Sequence, residues 1–116
     1  MARPTEPFFW SLFSAGGTLA ALLFPALFLL LFLAGPTGLI ELPSPAVFVA
    51  LLHPWPARLA LLALISLGLF HWAHRFRYTL YDGLQLHHLY GLVAVICYGS
   101  AAAATVAAAW LLATLA

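Results

Sequence analysis

Lysine is absent from the chain, and charged residues of all kinds make up 6% of it. A soluble domain carries about 25%, so water is not the main solvent of this surface. Four arginines stand against three carboxylates, a net charge of +1, which leaves no basic field to hold nucleic acid. Cysteine is almost missing. The single Cys97 excludes an internal disulfide, a CxxC pair and an iron–sulfur cage within the chain. Sitting in an apolar run, it reads as a small packing residue; a redox centre built on thiolates would belong to a partner. The N-terminus does not read as a cleavable signal peptide either. MARPTEP carries only Arg3 and Glu6 ahead of an apolar run that is too long for a signal core and ends without a clear cleavage site. That run is expected to stay in the chain.

What is present is hydrophobic length. The 116 residues are 66% hydrophobic with a mean hydropathy of +1.08, enough for one domain, residues 1–116. A membrane-crossing helix needs about 20 mostly apolar residues. Residues 8–34, 57–81 and 89–115 each qualify, and the first and third are uncharged. The expected fold is an all-α membrane protein of three transmembrane helices, with its termini on opposite sides. Gly35-Pro36-Thr37-Gly38 stops the first span, and five prolines fall within residues 36–56. Ser44-Pro45 has the form of an N-cap followed by a first-turn proline, which predicts a short interfacial helix over 45–53 between the first and second spans. Pro54-Trp55-Pro56 ends it, with Trp55 suited to headgroup depth. Asp82-Gly83 begins a tight turn and His87 or His88 opens the third span, so the second and third spans form a hairpin.

Arginine placement orients the chain. Arg3, Arg75 and Arg77 fall on one side, and Arg58 with Glu41 on the other. Positive-inside counting puts the N-terminus and the 82–88 turn in the cytoplasm and the C-terminus outside. The third span is rich in alanine, at 101–104 and 107–109, which suits close packing against neighbouring helices and a partner in the membrane.

The polar chemistry is concentrated in residues 71–82, HWAHRFRYTLYD. His71, His74, Arg75, Tyr78 and Asp82 share one helical face at i, i+3, i+4, i+7 and i+11. Ionisable groups in a span are costly and face an interior or a water-filled site. Arg77 lies off this stripe and is expected to snorkel to the headgroups. His53, Trp55 and Arg58 could line a second site at the opposite face. At the same membrane level as the stripe, Trp10 can offer its indole N–H while its ring packs in lipid. Gly16-Gly17 interrupts the first span; the pair permits either close helix packing or room for a flat ligand beside Gly17. Together Trp10, Gly17, His74, Arg75 and Tyr78 outline a quinone-binding pocket, with apolar walls and hydrogen-bond donors at its rim. No residue stands out as catalytic in its own right or as a metal ligand.

Glu6-Pro7-x-Phe9-Trp10-x-Leu12-Phe13-x-Ala15-Gly16-Gly17, followed by His74-Arg75 with Asp82 seven positions on, resembles the D-type membrane anchor of bacterial fumarate reductase across nearly the whole chain. The resemblance implies an inner-membrane anchor of a quinol:fumarate reductase. A second membrane anchor (the C-type anchor), an iron–sulfur subunit (B) and a flavoprotein subunit (A) would be its partners. The iron–sulfur clusters and flavin would lie in those partners, and menaquinone would bind at the interface with them. It also assigns Trp10, His74 and Arg75 to the menaquinol site, and no haem is expected. The chain departs from the family at Arg77, Tyr78 and Tyr81, where further histidines are common. Two alternatives stay open: a haem b anchor of the succinate dehydrogenase type, and a purely structural anchor with no quinone contacts.

Overall fold

A computed structural model describes residues 5–115. Arg3, one of the arginines used to orient the chain, lies outside the described residues. Helix α1 (Glu6–Phe28) runs through Pro25 into a π-helical segment, Leu29–Ala34. Proline cannot donate to the ladder, and the wider i→i+5 turns start within one turn of it; they end with Gly35 N–H donating to Leu30 O at 2.9 Å. Helix α2 (Pro45–Leu51) is the short helix between the first two spans. Ser44 precedes it in extended geometry, but its hydroxyl makes no cap hydrogen bond; its carbonyl accepts from Val47 N–H at 2.9 Å instead. Helix α3 (Trp55–Gly83) and helix α4 (Tyr90–Ala113) are joined through residues 84–86 and a 3₁₀ turn, His87–Leu89. The fold is all-helical, with three helices long and apolar enough to cross a membrane.

Helix α3 is central. It packs against α1 on one side and α4 on the other. At 29 residues it is about 43 Å long, against a hydrocarbon core of about 30 Å, so its ends reach the interfaces. Small residues set the α1–α3 distance. A Cβ at Gly16 would lie 2.6 Å from Leu67 O, and one at Gly68 3.0 Å from the Phe24 ring. Lipid supplies no hydrophobic drive between helices, and such close approaches provide the van der Waals contact that replaces it.

The α3–α4 pair is fastened at both ends. At the turn, the Tyr81 hydroxyl donates to Tyr90 O at 2.9 Å, and the two rings stack at 4.8 Å. Buried Tyr81 joins Ala73, Val93, Cys97 and Ala101 in the small core between these helices. The turn differs in detail from the expected one. Helix α3 continues through Gly83, and the left-handed residue is Gln85 (φ 54°). At the far end Arg58 is buried. Its Nε donates to Leu52 O (2.6 Å), and its two terminal nitrogens to Leu112 O (2.9 Å) and Leu115 O (3.0 Å). Leu112 O is one of the C-terminal carbonyls that α4 leaves without an intrahelical partner, Leu115 O lies just beyond the helix, and a cation there opposes the negative end of the helix dipole. Arg58 is therefore committed to fastening α3 to α4 and is not an open donor for a second site.

Most alanines of α4 remain exposed; only Ala101 is fully covered. Phe8, Phe28, Phe32, Leu92, Val95 and Val106 are also more than half exposed, which is consistent with a surface meant for lipid and protein neighbours.

Candidate functional site

The stripe on α3 faces α1. His71 and His74 border a cavity of about 550 Å³ between α1 and α3, whose α1 wall includes Glu6, Trp10 and Phe13. Helix α4 contributes only Tyr98 to its lining. An adjoining cavity of about 450 Å³ is bordered by Trp10, Phe13, His74, Arg75, Tyr78 and Asp82, with Thr79 alongside. Trp10, Phe13 and His74 belong to both. Four of the five residues singled out as quinone-binding, Trp10, His74, Arg75 and Tyr78, thus meet at one place. The volumes fall in the range of about 300–1,000 Å³ typical of small-molecule sites.

Gly17 lines neither cavity. Its missing side chain is filled by the His71 imidazole: a Cβ at Gly17 would overlap that ring, with Nδ1 and Nε2 only 2.8 and 2.9 Å away. The imidazole thereby reaches the backbone of α1, and His71 Nδ1–H donates to the Phe13 carbonyl at 2.9 Å. The Phe13 ring lies over it, centroids 4.1 Å apart and planes 21° from parallel.

His74 is held differently. Its Nδ1 is 2.8 Å from the Tyr98 hydroxyl, a group that can donate as well as accept. The Phe13 and Trp10 rings meet the His74 ring edge-on, with centroids at 4.8 and 6.2 Å. Arg75 is exposed along the smaller cavity, and its guanidinium makes no hydrogen bond to any described residue.

Arg77 does not snorkel. It is half-buried between α3 and α4, with its Cζ 4.7 Å from the Tyr78 ring centroid, 5.1 Å from Tyr98, 5.8 Å from Tyr90 and 5.9 Å from Tyr81. One terminal nitrogen donates to the Tyr78 hydroxyl at 3.0 Å, while the buried Nε has no partner. A cation inside an aromatic cluster within about 6 Å is stabilised by the ring quadrupoles, which offsets the cost of leaving the headgroups. Arg77 and these four tyrosines form a cation–tyrosine cluster beside the stripe.

Tyr98 went unnoticed in the sequence because α4 reads as one apolar run. The available signal was a hydroxyl-bearing ring in mid-span, which needs a partner once buried. Among the described residues, no three His, Cys, Asp or Glu side chains cluster to hold a metal ion.

The family of fumarate reductase D subunits matches residues 1–113. The chain is 43% identical over 113 residues to the fumarate reductase D subunit of Mycobacterium tuberculosis, and equally to that of Mycobacterium bovis; the alignment covers 97% of this chain and 90% of the relative. The fumarate reductase D subunit of Haemophilus ducreyi is 39% identical over 85 residues, 73% of this chain and 71% of the relative. No solved structure matches the chain.

Proposed function

The chain belongs to the family of fumarate reductase D subunits, and from that premise we propose that it anchors a quinol:fumarate reductase in the bacterial inner membrane and helps bind and oxidise menaquinol. Its partners in this reading are a second membrane anchor, an iron–sulfur protein and a flavoprotein. The N-terminus and the 84–86 turn face the cytoplasm, where the soluble subunits dock.

The observation that supports this most is the meeting of Trp10, His74, Arg75 and Tyr78 at two adjoining cavities between α1 and α3. Apolar walls suit the ring and tail of a quinone, and convergent donors suit its oxygens. Menaquinol supplies two electrons and two protons when bound; the residues of this chain bind, orient and manage protons. Trp10 packs against the ring and offers its indole N–H. His74, its Nδ1 occupied by Tyr98, presents an Nε2–H donor. Arg75 presents a permanent cation toward an oxygen that becomes partly anionic, stabilisation that is strong in a water-poor site.

The test is equilibrium binding of menaquinone to the assembled four-subunit complex, with Trp10→Ala and His74→Ala compared with wild type. Both variants should weaken binding several-fold without loss of subunits. Unchanged affinity in both would leave this chain a structural anchor, with every quinone contact made by the second one.

A further inference from the structure

The two histidines at the larger cavity are held by different kinds of partner. A carbonyl oxygen only accepts hydrogen bonds, so the 2.9 Å contact with Phe13 O keeps a proton on Nδ1 of His71. In the neutral ring, Nε2 then holds the lone pair, and it has no hydrogen-bond partner among the described residues. At His74 the Nδ1 is paired instead with the Tyr98 hydroxyl. The cavity is therefore bordered by one imidazole whose Nδ1 proton is committed to a backbone carbonyl and, one turn away, another held by a phenol.

The setting of His71 is built into the backbone. On a helix, a side chain covers the turn N-terminal to its own Cα, so residue 17 would normally screen the carbonyl of residue 13. Glycine there uncovers it. The His71 ring enters the space a Cβ would occupy, and the Phe13 ring closes over it.

We infer that His71 is the proton acceptor for quinol oxidation at this cavity, with Gly17 and the Phe13 carbonyl as its positioning elements. The inference rests on the quinone reading above and assigns the base that reading lacks. One quinol O–H bond breaks and its proton forms an N–H bond at His71 Nε2. The second proton leaves to water at the cavity mouth, and the two electrons pass to one-electron acceptors in the partner subunits. Arg75 is a permanent cation and cannot serve as the base. The other titratable groups that line the His71 cavity are Glu6 from α1, His74 from α3 and Tyr98 from α4. Of these, the Glu6 carboxylate is the rival base.

The decisive variant is His71→Asn in the assembled complex. Its amide can still donate to Phe13 O but takes no proton. Menaquinol oxidation should fall roughly a hundredfold, within the usual range for a general base. The acid limb of the pH profile, where activity rises as the base loses its proton, should disappear. Menaquinone affinity should stay within about threefold of wild type, and fumarate reduction from an artificial donor to the soluble subunits should not change. A readout independent of turnover is ¹⁵N NMR of histidine-labelled complex: one Nδ1–H imidazole signal should vanish in His71→Asn and change tautomer in Gly17→Ala. His71→Gln is the second variant in case His71→Asn does not assemble, and must show the same loss. Quinol oxidation within threefold of wild type overturns the inference while leaving the cavity a quinone site. So does loss of the acid limb in Glu6→Gln but not in His71→Asn. A wild-type complex that binds no menaquinone sinks the quinone reading and this inference with it.

Discussion

The Tyr98 hydroxyl on α4 reaches Nδ1 of His74 on α3 at 2.8 Å. A helix that adds nothing else to the cavity lining thereby holds the His74 ring. Tyr98→Phe removes that hydrogen bond and little volume. A net bond of about 0.5–1.5 kcal/mol corresponds to a loss of about two- to tenfold in menaquinol oxidation. Steady-state kinetics on the assembled complex checks this; a purely structural anchor would show no change.

Arg75→Leu removes the cation that borders the smaller cavity. A charge-assisted bond worth about 1.5–3 kcal/mol predicts a loss of roughly tenfold to hundredfold in quinol oxidation. Artificial-donor activity measured on the same preparation should survive. A parallel fall of both activities would mark Arg75 as a docking residue instead.

Arg77→Leu should act on stability. Removing a half-buried cation from four tyrosine rings costs about 1–2 kcal/mol, read as a lower melting temperature of the complex. Arg77→Lys should recover only part of it, because an ammonium lacks the planar stacking surface of a guanidinium. An unchanged melting temperature in Arg77→Leu would mean that the side chain reaches the headgroups after all.

Arg58→Leu leaves the carbonyls of Leu52, Leu112 and Leu115 without their donor. Hydrogen bonds to a charged group are worth about 1.5–3 kcal/mol each and do not add fully, so a loss of about 3 kcal/mol is expected. Protease nicking near the C-terminus should accelerate, while menaquinone affinity, set at the other end of α3, stays constant. A variant as resistant to nicking as wild type would contradict this.

Topology is testable with reporter fusions. A cytoplasm-dependent reporter should be active at residue 1 and an externally required one at residue 116. The reverse pattern would place the stripe on the outer face and remove the soluble subunits from its vicinity.

The three spans, the short helix between the first two and the face shared by His71, His74 and Arg75 were legible because each depends on local periodicity or on proline and glycine placement. What could not be read was which neighbour each polar group would choose. Arg58 and Arg77 both looked like interfacial charges, since sequence shows depth but not the tyrosines or carbonyls brought alongside by another helix. Gly17 was legible as a gap, but its occupant was not: His71 fills it from a residue 54 positions away in a helix whose rotation is set by packing at Gly16 and Gly68. Tyr98 was hidden for the same reason, its partner lying across the α3–α4 hairpin.

The tie made by Arg58 also has a tempo. Its acceptor on Leu115 lies 57 residues downstream, so during synthesis the guanidinium emerges long before the carbonyl that will receive it. At roughly 5–20 residues per second, the interval is about 3–11 s. For that time the first turn of α3 holds a cation whose final partner has not been made, and water or headgroups must solvate it. Insertion of this chain is therefore ordered in time: α3 waits at the boundary with its charge outside, and only the arrival of the last turn of α4 lets that charge settle and seals the helical pair.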